Sequence, residues 1–387
     1  MSNSAQNQTP QIYLDYASTT PVDPEVLKAM IPYFTEKFGN AESLHSKGLE
    51  AKQAVDQART TIAKYLNCQP SEIIFTGSGT ESNNLAIIGT AKANKAKGNH
   101  LITCDIEHPS VLNVFKYLEK EGFKVTYLPV DKYGFVNLEQ LENAITKNTI
   151  LVSIMFANNE IGTIEPIAEI GKICQKHKVP FHSDACQITE YLHLDPKKLN
   201  TDLLTINGSK IYGPKGTAFL YVRKGTLLAP LFQGGSQEHG LRASTHNVPG
   251  IVGIAKAFEI TQLNCKKESE RSSKLRDYFI DNVIKKNPDI TLNGPRENRL
   301  PNNINIHIPG IEGKDFLLQL DNYGIYISTG SACNSGKNGS SHVLNAICKN
   351  KDISQSSIRI SLGKHTTKKD LDYTIEIITK LVKHLRN

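Results

Sequence analysis

Through the first two thirds of the chain, short apolar runs alternate with longer stretches of helical period. The runs predict strands at Glu72–Thr76, His100–Asp105, Lys124–Pro129, Thr149–Phe156, Val179–Asp184, Leu203–Asn207 and Thr217–Arg223. Strands this continuously apolar are buried on both faces. Between them the pattern predicts helices at Thr80–Lys97, Pro109–Glu121, Leu138–Ile145 and Pro166–His177. Such alternation builds a mostly parallel sheet sandwiched by helices, an α/β fold.

After about residue 250 the texture changes. A long helical stretch, Val252–Lys286, is followed by a period-two run at Asn302–Ile308, by Ile325–Ser328 and Ser357–Leu362, and by a helix at Lys368–His384. This reads as a smaller α+β domain. Chain ends of one domain often lie close together, so the first 16 residues join it. The expected division is 17–260 for a large domain and 1–16 with 261–387 for a small one.

Length and composition agree. The 387 residues suggest roughly two or three domains at ~150 residues each. The apolar content of 39% is that of a globular chain with a substantial core. A net charge of +7 spread over this length is too small a surplus to imply nucleic-acid binding. No apolar run reaches the ~18–20 residues of a membrane span, and the polar start MSNSAQNQTP has no signal-peptide pattern. Seven scattered cysteines without a Cys-x-x-Cys argue against a disulfide framework and for a reducing cytoplasm.

Three segments carry candidate chemistry. Glu72–Leu85 runs from a strand through Gly77-Ser78-Gly79-Thr80 into a helix, where free N–H groups can hold a phosphate. It is neither a dinucleotide fingerprint nor a P-loop. The same residues read equally well as a capping box, Ser78-x-x-Glu81, that only starts the helix. FHSDACQ (181–187) places Asp184 at a strand's carboxyl end, where open α/β sheets put ligands. INGSKIYGPKG (206–216) places Lys210 just after another strand. A lysine there can form a Schiff base, and a buried aspartate can keep a pyridine nitrogen protonated. Alone, either is more readily a surface lysine or a structural aspartate.

In combination these segments resemble the class V aminotransferase group, and most closely its NifS/IscS-like cysteine desulfurases. The resemblance runs from IYLDYASTTPVDPEV (12–26) through FGNAESLH (38–45), FTGSGTESNNLAI (75–87), EHPSV (107–111), NNEIG (158–162), HSDACQ (182–187) and GSKIYGPKG (208–216). It continues through GGSQEHGLRAST (234–245) and STGSACNSG (328–336) to SSIRISLG (356–363). It implies a fold type I enzyme dependent on pyridoxal 5'-phosphate (PLP). By resemblance, Lys210 forms the Schiff base and moves the substrate α-proton, Asp184 pairs with the pyridine nitrogen, and Gln187 donates to the phenolic oxygen. His108 stacks on the ring with an acid/base role. Gly79, Thr80, Asn207 and Ser209 belong to the phosphate cradle, and Thr245 reaches the phosphate of the other subunit of a homodimer. Asn159 and Arg359 hold the carboxylate of L-cysteine, a task for which arginine's planar fork is suited. No metal is expected: Cys174 and His177 share a helix, but no further ligands complete a site.

Two departures stand out. Asn207-Gly208-Ser209-Lys210 replaces the usual Ser-x-His-Lys, and Gly77-Ser78-Gly79 replaces a frequent Ser-Gly-Ala. Serine lacks an imidazole's reach, so weaker PLP retention is expected. A PLP titration left unchanged by Ser209→His would contradict that.

Of the cysteines, Cys68, Cys104, Cys174, Cys186, Cys265 and Cys348 read as packing or incidental. Cys333 lies in STGSACNSGKNGSSH, a Gly/Ser-rich loop spanning about 328–341. The resemblance makes it the thiolate that takes sulfur as a persulfide and passes it to an acceptor protein of iron–sulfur cluster assembly or of thio-cofactor or tRNA thiolation. The length from Cys333 to Arg359 resembles the branch with the extended loop. Some relatives carry a C-terminal extension that docks an iron–sulfur scaffold, whereas this chain stops at KLVKHLRN, leaving the acceptor open. A selenocysteine lyase or another aminotransferase on the same fold is the alternative within the family. A non-catalytic sulfur-transfer scaffold is the alternative outside it.

Overall fold

A computed structural model describes residues 10–329, 341–348 and 350–386. Cys333 and most of its loop lie outside the described residues. Twelve strands are found among these residues, in chain order β1 (Ile12–Tyr13), β2 (Ile73–Thr76), β3 (His100–Cys104), β4 (Lys124–Leu128), β5 (Thr149–Ser153), β6 (Phe181–Asp184), β7 (Leu203–Asn207), β8 (Ala218–Val222), β9 (Thr291–Leu292), β10 (Asn303–His307), β11 (Ile325–Tyr326) and β12 (Ser357–Ser361).

The expected mostly parallel sheet is present. Its seven strands run in the order β2-β8-β7-β6-β5-β3-β4. The pairs from β7 to β4 are all parallel, whereas β8 runs antiparallel to both β7 and β2. Helices cover both faces, which is why β2, β5, β6 and β8 are buried at every position. The apolar residues form two large cores on either side of the sheet, one around Ile102, Phe181 and Phe219, the other around Leu101, Phe115 and Leu220. A separate core gathers Ile12, Leu14, Phe279, Ile304, Ile358 and Leu371. It is built on the antiparallel set β12-β10-β9 and on β1, which pairs in parallel with β11. The N-terminal strand therefore packs with elements from the end of the chain.

Some element ends differ from expectation for local reasons. The helix expected over Thr80–Lys97 spans Gly79–Ala93, with Asn94 closing its last turn onto Thr90. The long helix begins at Val248 rather than Val252, because Asn247 caps it and Pro249 suits its first turn. It feeds Val248 and Phe258 into one core and Phe279 and Val283 into another. The Ser46–Leu66 helix was not anticipated. Its buried stripe of Ala51, Val55, Ala58, Ile62, Ala63 and Leu66 is half alanine, a faint hydrophobic signal.

Candidate active site

The carboxyl ends of β6 and β7 and the N-termini of two helices open onto one cavity. It is lined by Gly79, Thr80, His108, Asn159, Asp184, Gln187, Asn207, Lys210 and Arg359, together with Asn83, Ser110, Glu160 and His342. Nine residues singled out by sequence thus meet in one place. Ser209 and Thr245 are not part of this wall. The Ser209 hydroxyl turns back onto Asn207 Oδ1 at 3.3 Å within its own turn, and Thr245 is exposed.

Asp184 ends β6 and is buried. Its Oδ1 accepts the Cys186 N–H at 3.0 Å, and its Oδ2 accepts the Asn83 amide at 2.7 Å. These two donors offset the cost of burying the carboxyl group. Lys210 closes a tight turn, Gly208–Lys210, directly after β7. A Cβ at Gly208 would lie 2.7 Å from Thr217 Oγ1, so the turn needs glycine to pack on the returning chain. Lys210 Nζ donates to the carbonyl oxygens of Ala17 and Ser18 at 2.8 and 2.5 Å. Gln187 Nε2 donates to the same Ala17 oxygen at 3.1 Å.

At the start of the Gly79–Ala93 helix the capping reading of the loop is met. Ser78 Oγ caps the Glu81 N–H at 3.1 Å, while Glu81 Oε2 accepts the Gly77 N–H and its Oε1 pairs with Arg242, each at 2.8 Å. Gly79 and Thr80, at the helix start just past the Ser78 cap, line the cavity. A Cβ on Gly79 would sit 3.1 Å from Cys186 Sγ, so glycine keeps this corner of the cavity open.

His108 caps the Pro109–Lys120 helix. Its Nδ1 lies 3.1 Å from the Ser110 N–H and 2.8 Å from Ser110 Oγ. Burial lowers its pKa, helped by the positive charges of Lys210, His342 and Arg359, while Asp184 opposes the shift.

On the opposite side, Arg359 on β12 donates from one terminal nitrogen to Asp15 Oδ1 at 2.8 Å and Ser18 Oγ at 2.7 Å, and from the other to the Asn159 carbonyl at 3.1 Å. Its buried Nε has no hydrogen-bond partner among the described residues. An unsatisfied guanidinium N–H is costly, which suits a site completed by a carboxylate ligand. Beside it Glu160 accepts from the Ser341 hydroxyl, and burial pushes its pKa up to about 7. His342 Nε2 contacts the Glu107 carbonyl at 2.8 Å. Ser341 and His342 thus fix the residues that follow the Cys333 loop to the cavity wall.

Several of these groups escaped the sequence reading. Asp15, Ser18, Asn83, Ser110 and Glu160 all lie inside motifs quoted above, but nothing in residue type separated them from neighbours. His342 closes the STGSACNSGKNGSSH stretch, where nothing in residue type marked it as part of the cavity. Five other cysteines are poor nucleophiles: burial pushes the thiols of Cys68 and Cys174 up to about 12 and raises those of Cys104, Cys186 and Cys265.

A lysine, a buried carboxylate, a capped helix start and an arginine with an open donor, all converging on one cavity, form a donor set that fits PLP and an amino-acid substrate. The profile of the aminotransferase class V family matches residues 12–374. The chain belongs to that family. Members of the family depend on PLP, and so does this chain. It is 51% identical over 376 residues to "Cysteine desulfurase IscS" of Dictyoglomus turgidum, covering 97% of this chain and 95% of that protein. Among solved structures it matches "NIFS-LIKE PROTEIN" with a TM-score of 0.92 and 39% identity, covering 97% of this chain and all of the other. It also matches "SspA in complex with cysteine" with a TM-score of 0.82 and 39% identity, over 92% of this chain and all of the other. Among the described residues no helix is long and apolar enough to cross a membrane.

Proposed function

We infer that this chain is a PLP-dependent cysteine desulfurase that releases L-alanine from L-cysteine and passes the sulfur to an acceptor. The convergence of Lys210, Asp184, His108 and Arg359 on one cavity carries the reading. PLP supplies an electron sink for the substrate's α-carbon. Lys210 Nζ anchors the cofactor and takes the proton from the substrate Cα. Asp184 balances the charge of the ring nitrogen, Gln187 donates to the phenolic oxygen, and His108 covers the ring face and serves as a proton carrier at Nε2. Gly79, Thr80 and Asn207 hold the phosphate, and Ser209, outside the cavity wall, joins them only by turning its hydroxyl off Asn207 Oδ1. Asn159 and the open Nε of Arg359 orient the substrate carboxylate.

Cys333 attacks the substrate sulfur as a thiolate. The new S–S bond forms as the substrate C–S bond breaks, leaving a persulfide on Cys333 and the alanine skeleton, which takes up a proton. The described flanks of its loop support this role: Ser328 pairs with Arg359, and Ser341 bonds Glu160 on the cavity wall. We divide the chain at 17–260 and 1–16 with 261–387, the smaller part carrying Cys333.

The protein acts as a homodimer in a reducing cytoplasm. Exposed Thr245, free to reach a second subunit's phosphate, supports the dimer. So does the run of exposed apolar side chains from Leu27 to Leu49, in which Phe38 is 67% and Leu44 91% exposed. The acceptor is a thiol-bearing protein of iron–sulfur cluster assembly or thiolation. Alanine and sulfide release from L-cysteine, compared between wild type and Cys333→Ser, tests the assignment. Loss in the variant is expected; retained wild-type sulfur transfer would remove Cys333 from the mechanism.

A further inference from the structure

Two side chains with no role in the reading above join its two ring-contacting groups. Asn83 is buried in the first turns of the Gly79–Ala93 helix, and Ser110 lies in the first turn of the Pro109–Lys120 helix. The Asn83 amide nitrogen donates to Asp184 Oδ2 at 2.7 Å and to Ser110 Oγ at 2.9 Å. Ser110 Oγ is in turn 2.8 Å from His108 Nδ1.

The direction of every bond in this chain follows from chemistry. A carboxylate only accepts, so the nitrogen of the Asn83 amide, not its oxygen, faces Asp184. Both of that nitrogen's hydrogens are then spent, and Ser110 Oγ accepts one of them. The serine hydroxyl hydrogen remains for His108 Nδ1. The backbone N–H of Ser110 can only donate, and it points at the same Nδ1 from 3.1 Å. Nδ1 is therefore the unprotonated nitrogen, and the ring proton sits on Nε2. The positive end of the helix that His108 caps favours the same neutral form.

We propose that Asn83 and Ser110 are positioning residues that tie the Asp184 carboxylate and the His108 tautomer into one hydrogen-bonded unit. The unit presents a fixed carboxylate to the ring nitrogen and a fixed Nε2–H donor to the ring face, and it couples the two. The inference rests on the assigned roles of Asp184 and His108, but its geometry does not. The charged and titratable groups that act on His108 are Asp184 from β6, Lys210 from the turn after β7, His342 from the His342–Ile347 helix and Arg359 from β12. None of them is altered by changing Ser110.

The test uses PLP-loaded enzyme labelled with ¹⁵N-histidine, with His108→Gln identifying the His108 ring signals. Ser110→Ala removes one donor from Nδ1 and keeps the backbone donor. It should raise the His108 pKa by roughly half to one unit, and the acidic limb of kcat/KM should follow. Ser110→Thr keeps the hydroxyl and should restore the wild-type titration. Asn83→Ala should shift His108 in the same direction and weaken PLP retention in a titration of the cofactor-free protein by about tenfold. A His108 titration unmoved by Ser110→Ala, or Ser110→Thr behaving like alanine in a folded protein, would overturn the proposal. If Ser110→Ala moves the His108 signals while His108→Gln keeps wild-type kcat/KM, the unit stands and the role given to His108 falls.

Discussion

The two sides of the cavity satisfy their charged groups differently. On the sheet side, both Asp184 oxygens and His108 Nδ1 already have partners within the protein. On the β12 side, Asp15 and Ser18 hold one end of Arg359, yet its Nε has no partner among the described residues. Glu160 next to it is buried with a pKa pushed up to about 7. The difference matches what the proposed function asks of each side. A cofactor that stays bound is met by groups locked in place beforehand, whereas a substrate that comes and goes needs a donor left to be completed.

Substitutions on each side can break this contrast, and the largest effect belongs to the lysine between them. Lys210→Ala should lower alanine formation from L-cysteine by at least about 10³-fold and abolish the visible absorbance of the lysine–cofactor link. On the sheet side, Asp184→Asn should reduce kcat roughly a hundredfold and weaken PLP retention, with KM little changed. On the β12 side, Arg359→Lys should spare PLP binding and raise KM for L-cysteine about tenfold to a hundredfold, since lysine lacks the planar fork. Equal loss of PLP in the Asp184 and Arg359 variants would erase the distinction.

The smallest effect is on stability. Glu160 has a folded-state pKa above its ordinary value, so the neutral acid is the form the fold favours. Its stabilising contribution is complete below about pH 4.5 and is lost as pH rises through about 7. Glu160→Gln keeps an acceptor for Ser341 and removes that titration. Relative to wild type it should gain about 1–3 kcal/mol between pH 5 and 8, read from denaturant melts at both pH values. A parallel pH dependence in the two proteins would place the Glu160 carboxyl in a more solvated setting.

Much of this was legible in the sequence, because it was written in residue types with few alternative uses. Largely apolar runs identified β2 to β8 to within a few residues, although β6 reads Phe-His-Ser-Asp and β4 is only partly buried. Asp184 was visible because it closes one such strand, and Lys210 because it lies in the turn just after another. The alanine-rich Ser46–Leu66 helix left little hydrophobic contrast to read. The supporting partners Asn83, Ser110 and Asp15 were hidden for a different reason. Asn, Ser and Asp are ordinary at helix starts and turns, and only the folded distances show which of them brace a charged group.

The central claim is that sulfur leaves L-cysteine by way of Cys333. The most direct measurement is intact-protein and peptide mass spectrometry of the PLP-loaded enzyme after brief exposure to L-cysteine without reductant. The account predicts the added mass of one sulfur atom on the peptide carrying Cys333, absent in both Cys333→Ser and Lys210→Ala. Sulfur on another cysteine, or alanine formed at the wild-type rate by Cys333→Ser, would contradict it.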